Sequence, residues 1–108
     1  MATSWEYLDF VLEQLSELEG ITTRPMMGEF LLYYRGKYVG GVCDNRLLLK
    51  PTEQALALLP HARYALPYEG AREMLLVEEP EDRQSLCALV RATYDALPAP
   101  RPRKKRQV

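Results

Sequence analysis

Cysteine and histidine are scarce in this sequence, and their spacing argues against the common metal and disulfide frameworks. The two cysteines, Cys43 and Cys87, lie far apart and form no Cys-x-x-Cys pair, which predicts reduced and structurally inert thiols. The single histidine, His61, has no cysteine, histidine or carboxylate partner at a zinc-binding spacing. We therefore expect neither a metal site nor a bound cofactor.

Long apolar runs are also missing. No segment approaches the ~18 apolar residues that a membrane-spanning helix requires. The start Met1-Ala2-Thr3-Ser4-Trp5-Glu6 lacks the basic and apolar regions of a signal peptide. We therefore expect a cytoplasmic protein that makes no contact with a membrane.

Recognisable active-site motifs are absent as well. The serines Ser4, Ser16 and Ser85 do not lie in a Gly-x-Ser-x-Gly turn. The glycine-bearing segment 36–41 lacks the Gly-Lys-Ser/Thr ending and the strand-to-helix context of a phosphate-binding loop. The acidic residues between 78 and 82 could gather a divalent cation, but they are typical of a helix N-terminus. A protein without enzymatic activity is the resulting expectation.

The length and the charge distribution predict one domain followed by a basic tail. With 108 residues, the chain can build one hydrophobic core but not two. We assign residues 1–97 to the domain and residues 98–108 to a disordered tail, because its prolines and charges cannot order a core. The tail carries five basic residues, namely Arg101, Arg103, Lys104, Lys105 and Arg106.

Removing those five from the 14 basic residues leaves nine against 15 acidic residues, so the domain itself has a net charge of about −6. Such a body repels a phosphate backbone. Nucleic-acid contact is therefore expected to be weak, non-specific and confined to the tail. The alternative is that the tail is simply a solubilising end.

Hydrophobic periodicity predicts a helix followed by a β-meander. A capping box at Thr3-x-x-Glu6 begins a helix whose inner face carries Trp5, Leu8, Leu12 and Leu15 and which ends at Glu19-Gly20. Residues 21–50 change to a strand-like composition interrupted by glycine and Asp-Asn turns. The predicted strands are Thr22–Met27, Glu29–Tyr34, Lys37–Cys43 and Arg46–Lys50, the first of them the weakest.

The rest of the domain is expected to add a short helix, a strand and a final helix. Thr52 caps the short helix, which Pro60 ends, and residues 61–72 are predicted to form a loop. A buried strand follows at Glu73–Glu78, and the last helix runs from Pro80 to Leu97. The order α-β(3-4)-α-β-α predicts an α+β two-layer sandwich, an antiparallel sheet with helices on one face.

Four aromatic residues in the predicted sheet are candidates for a contact surface: Phe30, Tyr33, Tyr34 and Tyr38. Because successive side chains of a strand point to opposite faces, some of these residues should face the core and others the face that the helices leave open. Tyrosine is frequent at protein interfaces, so this face could support a homodimer or bind a partner. Ordinary cross-strand packing is the alternative explanation.

Two stretches of the sequence resemble a known family. They are residues 24–37, RPMMGEFLLYYRGK, and residues 45–50, NRLLLK, with a weaker match at Pro67-Tyr68-Glu69. They are similar to the N-terminal domain of the TfoX/Sxy regulators of DNA uptake, whose pattern is a Met-aromatic-Gly start, a tyrosine-bearing strand, a glycine turn and a Leu-x-Leu-Lys strand. The resemblance implies a secretion-chaperone-like fold, no enzymatic activity, and a stand-alone short form of a family whose competence regulators carry a second domain.

Two functions are compatible with these features. The first is a regulatory adaptor that contacts a protein partner such as a transcription factor or a polymerase component. The second is a small-molecule-binding or catalytic domain with a pocket between the sheet and the second helix, where Arg24, Tyr34 and Lys50 would supply polar groups.

Overall fold

A computed structural model describes residues 3–59 and 61–98 of the chain. Its elements, in chain order, are α1 (Trp5–Gln14), β1 (Ile21–Met26), β2 (Glu29–Tyr34), β3 (Lys37–Cys43), β4 (Arg46–Leu49), α2 (Glu53–Ala57), β5 (Arg63–Ala65), β6 (Met74–Val77) and α3 (Arg83–Ala96). The predicted α+β class is confirmed, and so is the weakest of the predicted strands, β1.

The strands form one sheet of six in the order β1-β2-β3-β4-β6-β5, with every neighbouring pair antiparallel. The strand β5 lies within the segment that we predicted to be a loop, so that prediction is wrong there. Its three residues are too few for a readable alternation, and Arg63 and Tyr64 are exposed. Pairing with β6, rather than local pattern, makes this segment a strand.

All three helices pack on one face of the sheet. Strand residues Phe30, Leu32 and Tyr34 define this helix-covered face, and they form one hydrophobic core with residues of α1, α2 and α3. From the helices the core receives Leu8, Val11, Ala55, Leu86, Leu89 and Val90. The predicted two-layer arrangement is thereby confirmed.

The first helix differs from its prediction at both ends. Ser4, not Thr3, is the N-cap, because its hydroxyl accepts a hydrogen bond from the Tyr7 amide at 3.1 Å. The helix ends at Gln14 rather than Glu19. Trp5, expected to point inward, is 68% exposed. Trp5 is the first residue of the helix, and its ring lies against that of Phe30, with 5.3 Å between the centroids, instead of entering the core.

Of the other two predicted helix starts, that of α2 is confirmed and that of α3 is wrong. The Thr52 hydroxyl accepts from the Ala55 amide at 3.2 Å and caps α2, as predicted. The last helix begins at Arg83 with Asp82 as its cap, instead of at Pro80. Pro80 is buried, and its carbonyl oxygen accepts a 2.9 Å hydrogen bond from the side chain of Gln14. That contact between distant segments is invisible to a local pattern.

An irregularity in β3 adjusts the packing of the sheet. Leu32 pairs with Gly40 while the next residue, Tyr33, pairs with Tyr38, so Val39 is an extra residue in β3. The bulge allows Val39 to join the core below the helices. Gly40 must lack a side chain, because a Cβ atom there would overlap the carbonyl oxygen of Leu48.

Candidate binding face and comparison with known proteins

The sheet face opposite the helices, the second face, is only partly exposed. Cys43, Leu48 and Met74 form a small buried cluster there, against which Ala65 and Leu76 pack. The segment 66–73 lies over this part of the sheet and is held by Arg46, whose guanidinium donates to the Leu66 carbonyl at 2.9 Å. The predicted open face is therefore divided into a covered part and an uncovered part.

The four aromatic residues proposed as a contact surface separate onto the two faces. Phe30 and Tyr34 are only 7% and 6% exposed and belong to the helix-covered core. They are therefore unavailable to a partner, and the prediction of a contact role is wrong for these two residues. Tyr33 and Tyr38 are partly exposed on the second face, where their ring centroids lie 5.7 Å apart. The period of two along a strand produces this division.

A line of four side chains, which we call the cation-aromatic row, crosses the second face from the exposed Arg24 to Tyr38 and Lys50, which lie beside the covering segment 66–73. The Arg24 guanidinium carbon lies 5.7 Å from the centroid of the Tyr33 ring. At the other end, the Lys50 ammonium nitrogen lies 4.7 Å from the centroid of the Tyr38 ring. Both distances suit attraction between a cation and an aromatic face. Together the residues Arg24, Tyr33, Tyr38 and Lys50 span β1, β2, β3 and the end of β4.

The pocket predicted from Arg24, Tyr34 and Lys50 does not exist as a single ring of side chains. Arg24 and Lys50 contact aromatic rings of the second face, whereas Tyr34 lies in the core with its ring 5.0 Å from that of Tyr94. Tyr33 and Tyr34 are adjacent in the chain and therefore point to opposite sides of the sheet. The sheet itself separates the three residues.

Two cavities are nevertheless present among the described residues. One, of about 510 Å³, lies on the second face beneath segment 66–73 and includes Tyr38 and Lys50 in its lining. The other, of about 310 Å³, lies near α2 and the start of α3 and contains none of the three predicted pocket residues. Sequence reasoning missed Met26, Gly41, Tyr68 and Arg72 of the larger cavity. The available signal was the family-like segment Pro67-Tyr68-Glu69, which belongs to the covering loop.

Two titratable groups of the second face, Tyr38 and Cys43, have a raised pKa. Burial raises the pKa of the Tyr38 hydroxyl, and the neighbouring Cys43, Tyr68 and Tyr33 raise it further. Burial also raises the pKa of the Cys43 thiol, with Glu29 adding to the effect and Arg46 opposing it. A thiol with a raised pKa is a poor nucleophile at neutral pH. Tyr38 is suited to donate a hydrogen bond, and Cys43 to pack.

Three further expectations from the sequence concern a metal site, the basic tail and membrane-spanning helices. Within residues 3–59 and 61–98, no group of three or more His, Cys, Asp or Glu residues is placed to hold a metal ion. The basic tail residues Arg101, Arg103, Lys104, Lys105 and Arg106 lie outside the described residues. Among the helices described, none has both the length and the apolar character to cross a bilayer.

Comparison with known proteins identifies the family. The model of the TfoX N-terminal domain matches residues 13–97. A protein of Spirochaeta aurantia, called an uncharacterized 12.7 kDa protein in the trpE 5′ region, is 38% identical over 105 residues, which cover 96% of this chain and 91% of that protein. No solved structure matches the chain significantly. The predicted resemblance is confirmed, and the chain belongs to the TfoX N-terminal domain family.

Proposed function

We propose that this domain is a non-enzymatic adaptor that binds a protein partner through the cation-aromatic row. The observation that carries the proposal is the placement of Arg24, Tyr33, Tyr38 and Lys50 in one line on the second face of the sheet. Tyrosine and arginine are enriched among the residues that dominate binding energy at protein interfaces. Here they occur together.

The row is also organised before any partner arrives. Each cation is paired with a ring, and the two rings contact each other, so the side chains lose little further rotational freedom on binding. Arg24 lies on the edge strand β1, whose outer backbone groups have no neighbouring strand in the six-stranded order. A partner could therefore contact the side chains and the strand edge together.

The partner is expected to present acidic groups beside an apolar surface. Positive charges at both ends of the row favour carboxylates, while the two tyrosine rings offer an apolar centre. A protein of the transcription machinery is the class that the resemblance to regulators of DNA uptake supports. A second copy of this chain is a further candidate, and the experiment below separates the two.

The test compares charge reversals on the row with a charge reversal on α3, away from the row. The variant Arg24→Glu/Lys50→Glu changes both cations of the row. The control, Arg91→Glu, reverses an exposed cation on α3. Partners are captured from cells that make each protein at its native level and identified by mass spectrometry, and the best candidate is then purified and titrated against all three chains.

We expect the purified partner to lose at least about tenfold in affinity for the row variant and little for the control. Sedimentation of the three chains tests the homodimer, which should dissociate only in the row variant. The proposal fails if partner affinity and oligomeric state are the same for the row variant and the control.

A further inference from the structure

The larger of the two cavities is a concave site on the second face of the sheet. Its floor is the second face of the sheet at Leu31 and Gly41, and its roof is segment 66–73 with Pro67, Tyr68 and Ala71. The volume of about 510 Å³ falls within the ~300–1,000 Å³ that is typical of small-molecule sites. Most of the lining is apolar or aromatic, as such sites require.

The cavity is held open by the fold. Arg46 anchors one end of the roof through its 2.9 Å hydrogen bond to the Leu66 carbonyl, and a turn from Tyr68 to Ala71 is closed by a 3.1 Å backbone bond. On the floor, Gly41 pairs with Leu31 and has no side chain to fill the space. A ligand would meet a formed site and would not have to order the loop.

The charge around the cavity contrasts with that of the rest of the domain. Lys50 and Arg72 line it against a single acid, Glu73, whereas residues 1–97 contain nine basic and 15 acidic residues. The Lys50 ammonium is kept close by at 4.7 Å from the Tyr38 ring centroid. An anion is therefore attracted by the cations of this cavity and repelled by the acidic residues that predominate in the rest of the domain.

We propose that this cavity binds a small organic anion with a flat apolar body. The Tyr38 and Tyr68 rings and the glycine of the floor suit a planar group, while Lys50 and Arg72 would bind its carboxylate, sulfonate or phosphate. The cavity shares Tyr38 and Lys50 with the cation-aromatic row, but the binding of a small anion does not depend on the protein partner proposed above.

The experiment titrates the full-length, isotope-labelled chain with three probes and follows its amide signals by NMR. The probes are 2-naphthoate, 2-naphthyl phosphate and the neutral 2-naphthamide, which share one ring system. We expect saturable shifts at Gly41, Lys50 and Ala71, with at least one anion binding about tenfold more tightly than the amide. The two anions distinguish a carboxylate site from a phosphate site.

Three variants complete the test. Lys50→Gln should reduce anion affinity about tenfold and leave the amide unchanged, and Ala71→Trp should abolish binding of all three probes by filling the cavity. Arg91→Gln, the control on α3, should change neither. If Ala71→Trp does not fold, Tyr68→Ala replaces it and should weaken all probes, because it removes a ring from the cavity.

The proposal is overturned if no anion gives saturable shifts around Gly41, if the amide binds as tightly as both anions, or if filling the cavity leaves binding intact. Because no protein partner is present in these titrations, each of these results leaves the adaptor proposal standing. Conversely, failure of the row variants to affect a partner would not alter the titrations.

Discussion

The hydroxyl of Thr3 donates a 2.6 Å hydrogen bond to the carboxylate of Glu29, 26 residues further along the chain. The same carboxylate oxygen accepts from the backbone amides of Thr3 and Asp44, each at 3.0 Å. Glu29 therefore joins the start of the chain to the β3-β4 turn at Asp44 and Asn45, where φ is +53° at both residues. Charged acceptors satisfied in this way stabilise the structures they connect.

Replacing Glu29 should loosen this junction. Glu29→Ala removes the acceptor for three donors and should lower the free energy of unfolding by about 2 kcal/mol. Glu29→Gln should cost less, because its amide oxygen still accepts. Urea denaturation measures both, with Glu19→Ala, an exposed acid after α1, as the control. Equal stability of Glu29→Ala and Glu19→Ala would contradict the assigned role.

Gly40 should be intolerant of any side chain. A Cβ atom at this position meets backbone atoms of Leu48 and Leu49, so Gly40→Ala should separate β3 from β4 and cost about 3 kcal/mol. The comparison is Gly70→Ala. That glycine has a φ of +86° but nothing within 4 Å of the added atom, and strain alone costs about 1 kcal/mol. Thermal unfolding of both variants should rank them in this order, and the reverse order would refute the packing argument.

Stability should decrease in alkaline solution, beginning near pH 9. Burial raises the pKa of Cys43 and Cys87 above the ordinary value of 9.0. Below that pH the thiols are protonated in both the folded and the unfolded state, and their contribution to stability is fully present. Above it the unfolded thiols lose protons that the folded protein retains, so the free energy of unfolding falls as pH rises. Burial similarly raises the pKa of Tyr7 and Tyr38 from 10.0. Their contribution should be lost at higher pH.

Urea denaturation at a series of pH values measures this dependence. A Cys43→Ala/Cys87→Ala variant should lose the part of the decrease that begins near pH 9 and keep the later part that comes from the tyrosines. Its absolute stability will be lower because two buried side chains are shortened. An unchanged slope near pH 9 in this variant would show that the thiols are not responsible.

The tail should supply any affinity for nucleic acid. Its five basic residues adjoin a domain with a net charge of about −6, so binding to duplex DNA should be weak, independent of sequence and strongly reduced by salt. Fluorescence anisotropy at low and near-physiological salt compares the intact chain with a truncation after Leu97. Tight, salt-resistant binding by the truncated protein would instead identify a DNA-reading surface on the domain.

Much of the fold was readable in advance because its signals are local. The meander strands β2 and β3 have the predicted bounds, and the Thr52 cap is where its side chain chemistry places it. The misplaced features depend on distant partners. Pro80 does not begin α3, since its carbonyl oxygen instead binds Gln14, and the exposed Arg63-Tyr64 pair becomes part of a strand only beside β6.

The candidate site was predicted less well than the fold. Tyr33, Tyr38, Arg24 and Lys50 were all named from the sequence, but they were divided between a contact surface and a pocket and mixed with Phe30 and Tyr34. The alternation of side chains along β2 predicts that Tyr33 and Tyr34 lie on opposite faces of the sheet, but it does not predict which of the two faces the helices cover. The bulge at Val39, which changes the pairing of β3, adds to that ambiguity.

The sequence by itself determined the family, the α+β class and the order of most elements, because hydrophobic period, turn residues and caps act over a few neighbouring positions. Only the tertiary structure decided which face of the sheet is covered and that segment 66–73 closes over Cys43, Leu48 and Met74. It also decided that Arg24 and Lys50 lie at the two ends of a row whose centre is a pair of tyrosines. Those relationships arise when strands distant in sequence become neighbours. They depend on register and packing across the whole domain, which no local pattern encodes.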